Sequence, residues 1–146
     1  MDPSRGAQPE RMPTDEQRAA ELLGRVEHGR VATTMRALPF LASARHIVVD
    51  GRVLLRLHRG HGYHRACVGG VVAYGADVPS ARTRSGSRSW SVQVVGECAA
   101  VEPTAAELDR FGPAPRSVDG VPFDPVYLRV EPQFATVHSM IETDCP

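Results

Sequence analysis

The sequence contains no lysine: all 17 of its basic residues are arginines. Schiff-base chemistry on a lysine is thereby excluded, and anion recognition falls to guanidinium forks and backbone amides. Net charge is missing too, since 17 acidic residues balance the 17 basic ones, so no global field draws the chain to nucleic acid or an anionic membrane. Cysteine is scarce: Cys67, Cys98 and Cys145 form an odd set without a CxxC pair, which argues against both a disulfide framework and a cysteine-rich zinc site. No run approaches the ~20 apolar residues of a membrane helix. The amino terminus MDPSRGAQPERMP lacks the apolar core of a signal peptide, so a cytoplasmic location is expected. There is no internal repeat, Ser/His/Asp triad or Walker-type glycine loop, and no aromatics interleave the basic stretches as RNA binding would require.

What remains is ordinary globular material, with 42% apolar and 23% charged residues. At 146 residues it fits one domain. We place that domain at residues 14–141, between a flexible N-terminal tail, residues 1–13, and a short C-terminal tail, residues 142–146. Thr14 and Gln17 form a capping box, and Ala19, Leu22, Leu23 and Val26 make a helical stripe predicted to end near Gly29.

From Arg30 the pattern turns extended. RVATTM and FLASARHIVV read as strands around a turn at Ala37-Leu38-Pro39, and Asp50-Gly51 is a type I′ hairpin signal leading into RVLLRLH. A Gly-rich loop and short helix reach Gly70, and VVAYGA reads as a buried strand. Val78 to Ser89, with Arg82, Arg84 and Arg88, reads as a mobile surface loop. WSVQVVGECAAVE is a long strand with a bulge or bend at Gly96, stopped by Pro103. Thr104 and Glu107 cap a short helix through Leu108 and Phe111, ended by Gly112 and Pro113. PAPRSVDGVPFDP reads as irregular, and VYLRVEP and QFATVHSM as two closing strands. The expectation is a mainly β, α+β fold: an antiparallel barrel with an N-terminal helix and short connecting helices.

The succession GRVATTMRALP, HIVVDGRVLLRLH, VVAYGAD and WSVQVVGECAAVEP resembles the pyridoxamine 5′-phosphate oxidase-like family of flavin-binding split barrels, especially its short actinobacterial members. The resemblance runs from about Glu21 to about Met140. It implies a six-stranded split β-barrel, a homodimer, and flavin mononucleotide (FMN) in the cleft between subunits, with a deazaflavin or haem in related proteins. The implied cofactor-facing positions are Arg45 and His46, then Arg56 and His58, the loop Gly60 to Arg65 including His64, and finally Trp90, Ser91 and Gln93. The chain departs from the family at Leu41 to Arg45, where many relatives carry an arginine-proline pair. It departs again at Leu57, often a threonine, and near Tyr63 and His64, where a lysine or serine often meets the phosphate.

Arg56, Arg59 and Arg65 among glycines have the chemistry to hold a phosphate, and the alternative is that they are solvated. His58, His61, His64 and Cys67 recur every third residue, but groups so spaced drift roughly 60° per step around a helix. Surface histidines are the plainer reading, and no metal site is assigned. Trp90 is read either as a stacking platform for a planar ring or as a packing anchor, and Cys67 and Cys98 as packing residues. The functional expectation is an FMN-dependent oxidoreductase acting on a small planar substrate, with no catalytic side chain assigned. The alternatives are a flavin-free split barrel serving as a binding or stress-related module, and a haem- or metal-binding variant using His58, His61, His64 or His46.

Overall fold

The computed structural model describes residues 14–80 and 86–142. Most of the expected tails, together with Arg82, Arg84 and Cys145, lie outside these residues. Thr14 accepts from the Gln17 amide and Gln17 reciprocates, so the predicted capping box opens α1, Asp15–Leu23. The helix stops at Gly24 rather than near Gly29. Val26 keeps the helical spacing by coincidence and reaches the core from the connection that follows.

Six long strands form the wall: β1 His28–Met35, β2 Leu38–Val49, β3 Arg52–His58, β4 Val71–Pro79, β5 Ser87–Ala100 and β8 Pro125–Glu142. They close antiparallel in the order β1-β2-β3-β8-β5-β4 and back to β1, the six-stranded barrel that was expected. Asp50 and Gly51 both adopt positive φ, joining β2 to β3 as predicted.

Four local expectations are corrected. The β1–β2 turn is at Arg36-Ala37, both at positive φ, and Pro39 lies within β2. The loop expected from Val78 to Ser89 is shorter, because β4 runs to Pro79 and β5 starts at Ser87. The irregular segment contains a small hairpin, β6 Ser117–Val118 and β7 Val121–Pro122, turning at Asp119-Gly120. The two closing strands are one, β8. Its register against β5 slips where Gly96 opposes Pro132 and Val95 opposes Phe134, so the extra residue is Gln133 and a proline is tolerated within the strand. Gly96 is required there, since a Cβ would lie 1.6 Å from Glu131 O.

The barrel interior holds Val31, Leu55, Leu57, Val72, Tyr74, Val92, Val94, Leu128 and Val130, joined by Ala19, Leu22 and Leu23 of α1. Each such buried leucine contributes about 1.5–3 kcal/mol relative to exposure. A second cluster forms on the outer wall, where Ile47 and Leu54 meet Phe111 of α3, Ala105–Phe111. The capping box of Thr104 and Glu107 starts α3 as predicted. After β3, a single 3-10 turn, Arg59–His61, leads into α2, Tyr63–Cys67.

Candidate functional site

Successive residues of a strand face opposite sides, so the wall divides the predicted site residues between two environments. On β2, Ala42, Ala44 and His46 face in, while Ser43 and Arg45 face out. His46, 1% exposed, therefore stands in the core. Its Nε2–H donates to Leu23 O at 2.8 Å, capping the end of α1, and Nδ1 accepts from the Tyr74 hydroxyl. Burial first, and Arg45 and His28 after it, hold His46 below the ordinary histidine value, while the Leu23 carbonyl opposes them. Burial also pushes Tyr74 upward. His46 thus faces the core rather than the outer wall, with both ring nitrogens engaged there.

On the outer wall a groove of about 660 Å³ crosses β2, β1, β4 and β5. Strand register aligns Ser43, Arg30, Gly75 and Gln93 as one row across these four strands, with Leu41, Ala32 and Ala73 as the next. The floor is thus nearly bare, made of Ala32, Ser43, Ala73, Gly75 and Ser91. Arg30 and Asp77 flank it, and neither has an ion-pair partner among the described residues. A flat strip of small residues with polar edges has the shape to take a planar ring. Ser43, Ser91 and Gln93 would reach the ring edge, and Arg30 an anionic tail.

Beside it lies a chamber of about 400 Å³, sharing His28, Leu41 and Ser43 with the groove. Its barrel side carries Arg45, Arg56 and His58, and its cover is the segment from Pro115 to Phe123 with His61 and Tyr63. Arg56, Arg45 and His28 are neighbours in register, a basic row leading from chamber to groove. Both arginines are tied to the end of α3. Arg45 donates to Arg110 O at 3.0 Å, Arg56 donates to Gly112 O at 3.0 Å and Pro113 O at 3.4 Å, and both lie over the Phe111 ring. They hold the negative pole of the helix, as cations near a C-terminus do.

His58 accepts the Asp124 amide at Nδ1, 3.1 Å, so its ring hydrogen is on Nε2. Gly60 is needed beneath it, because a Cβ there would lie 2.4 Å from His58 Nε2. The ring packs edge-on to His61 and tilted on Phe123, and His61 Nε2 is 3.1 Å from Asp119 Oδ2. His46 is engaged at both ring nitrogens, whereas His58 and His61 are each engaged at one. Among the described residues no three His, Cys, Asp or Glu side chains converge as a metal site.

The structure thus brings Arg45, Arg56 and His58 to the chamber and Ser91 and Gln93 to the groove. Gly60, His64 and Arg65 line neither. His64 is held below its ordinary value by burial, then by Arg59 and Arg65, and its Nδ1 lacks a partner. Trp90, next to outward Ser91, points inward and lies under the guanidinium groups of Arg18 and Arg88, at 4.6 and 4.8 Å; it is the packing anchor of the two expectations. Burial pushes the Cys67 and Cys98 thiols up to about 11 and about 12, as fits inert packing residues. Arg30, Asp77 and Phe123 also line the two cavities, and none of them is among the residues expected from the sequence. Outward parity with Ala32 and Ala73 was the signal available for the first two.

Over 87 residues the chain is 42% identical to the uncharacterized protein Rv0080 of Mycobacterium tuberculosis; the match covers 56% of this chain and 55% of that protein. The chain thus spans about half the length of the curated relative it matches. Among solved structures it is similar to an FAD binding protein from Mycobacterium smegmatis, 25% identical with a TM-score of 0.64, covering 84% of this chain and 94% of that one. A heme binding protein from the same organism shares the fold at 16% identity and a TM-score of 0.64, covering 92% of this chain and 60% of that one. No helix among the described residues is long and apolar enough to cross a membrane. A family model described as pyridoxamine 5′-phosphate oxidase matches residues 15–139; the closed barrel and this match across most of its length agree, and the chain belongs to the pyridoxamine 5′-phosphate oxidase family.

Proposed function

We propose that the chain is a flavin-binding oxidoreductase that holds FMN non-covalently in the outer groove and acts on a small planar substrate. The observation that carries the reading is the bare floor of Ala32, Ser43, Ala73, Gly75 and Ser91 beside Arg30, which has no ion-pair partner among the described residues. Similarity to an FAD binding protein supports a flavin in general. Such a cofactor supplies the hydride or electron transfer itself, so the chain's task is to bind, orient and exclude water. Ser91 and Gln93 orient the ring edge, and Arg30 and His28 stand where an anionic tail would leave the floor. Leu38 and Leu41 are 70% and 53% exposed, and in this reading a second copy of the chain covers them, as a homodimer, and closes the groove.

One observation favours the flavin-free alternative, a split-barrel binding module: Arg45 and Arg56 already give donors to the carbonyls of residues 110–113. A visible spectrum of protein purified without added cofactor, then titrated with FMN and FAD, decides between them. The expected result is a yellow protein that saturates at one FMN per chain. Colourless protein that gains no flavin absorbance overturns the proposal, and a Soret band points to the haem alternative instead.

A further inference from the structure

Arg56 is 6% exposed and His58 8% exposed, and both line the chamber. Arg56 has no carboxylate partner among the described residues; its partners are two carbonyls and the Phe111 face, at 5.5 Å. Carbonyls carry only partial charge, and a buried guanidinium is costly unless an anion joins it. The other charges nearby are matched: Arg45 lies 3.7 Å from Glu27, His61 faces Asp119, and Arg59 lies 3.6 Å from Asp124. Among the described residues, the Arg56 guanidinium is thus left without a carboxylate. His58 adds a donor, since the Asp124 amide fixes its hydrogen on Nε2, whose bonds have no partner among the described residues.

We propose that the chamber binds a planar aromatic monocarboxylate. Its carboxylate meets Arg56 and the Nε2–H of His58, and its ring lies against Tyr63 and Phe123. A single cation left without a carboxylate matches a monoanion better than a phosphate dianion, and a guanidinium fork fits a carboxylate in its plane. The aromatic and proline cover selects for a flat apolar body. The proposal rests on the flavin reading in one respect: the chamber opens to the groove at His28, Leu41 and Ser43, so a carboxylate held there is presented as the substrate of that site.

Isothermal titration calorimetry of the full chain with benzoate, cyclohexanecarboxylate and inorganic phosphate tests it. Benzoate should bind with a Kd on the order of 0.1–1 mM, and the other two about tenfold more weakly or worse. Arg56→Met should weaken benzoate about tenfold or more. If that variant does not fold, Val118→Trp, which fills the chamber from the β6–β7 hairpin, should give the same loss. Absence of benzoate binding, equal affinity in wild type and variant, or phosphate binding more tightly than benzoate overturns the proposal. Flavin is titrated separately: flavin without benzoate sinks this proposal alone, whereas benzoate without flavin supports the chamber and sinks the flavin reading.

Discussion

Acid should loosen this fold through His46. In the folded chain the ring is neutral, because Nδ1 must stay bare to accept the Tyr74 hydroxyl, and burial holds the group below its ordinary value of 6.5. The unfolded chain therefore binds the proton first, and stability is full above the unfolded value and falls as pH drops below it. One proton gives a limiting slope of about 1.4 kcal/mol per pH unit. Integrated from an unfolded value of 6.5, the loss is at most about 0.8 kcal/mol at pH ~6 and at most about 2 kcal/mol at pH ~5. Urea unfolding at pH 8, 6 and 5, read by Trp90 fluorescence, measures it. His46→Asn removes the titration, so its baseline stability is lower but its slope from pH 8 to 5 should flatten. Parallel pH profiles for wild type and His46→Asn would refute the reasoning. His64 shifts in the same direction, and His64→Asn in the wild-type background bounds its smaller share.

Two glycines should behave differently on replacement by alanine. Gly96→Ala drives a Cβ into Glu131 O at 1.6 Å and should cost about 3 kcal/mol or more, whereas Gly51→Ala, strained only by its φ of +77, should cost about 1 kcal/mol; thermal melts rank them. Gly60→Ala pushes on His58 Nε2 and should weaken benzoate severalfold with little change in Tm, as calorimetry and melting together would show. Ala73→Trp fills the groove floor from outside and should abolish flavin uptake while leaving the far-ultraviolet circular dichroism unchanged; uptake equal to wild type would remove the groove as the site.

Much of the architecture was legible because its signals are local. Asp50-Gly51, the two capping boxes and the irregularity at Gly96 each follow from a few adjacent residues, and all are found. The misses have distinct causes. Arg36 and Ala37 adopt positive φ without the glycine or asparagine that advertises such a turn, so the reading slid to Pro39. Pro132 looked like a strand end, and only the register slip at Gln133 lets it remain inside β8. At the site, the resemblance implies Arg45 with His46 and Trp90 with Ser91 as joint contributors, although neighbours on one strand cannot face the same side. Applying the two-residue period to Ala42, Ala44 and His46 assigns His46 to the core from sequence alone. Nothing local announces that α3 brings its terminal carbonyls onto Arg45 and Arg56, a contact made across more than fifty residues of chain.

That long-range contact explains how a chain without lysine can keep two guanidinium groups against one apolar wall. A point charge on a flexible stem would withdraw to water, whereas a planar fork can serve several carbonyls of a helix end and still stack on Phe111. The arrangement makes α3 part of the site rather than a spacer. Its capping box fixes where the helix starts, its length fixes where Arg110, Gly112 and Pro113 present their carbonyls, and these fix the two arginines at the chamber. The inner wall carries a separate task, since His46 and Tyr74 secure α1 on the other side of the same strands. Stability and ligand chemistry are therefore divided by strand parity: changes at Ser43, Arg30 or Gln93 alter what the outer wall holds, and changes at Ala44, His46 or Tyr74 alter whether the barrel stays closed.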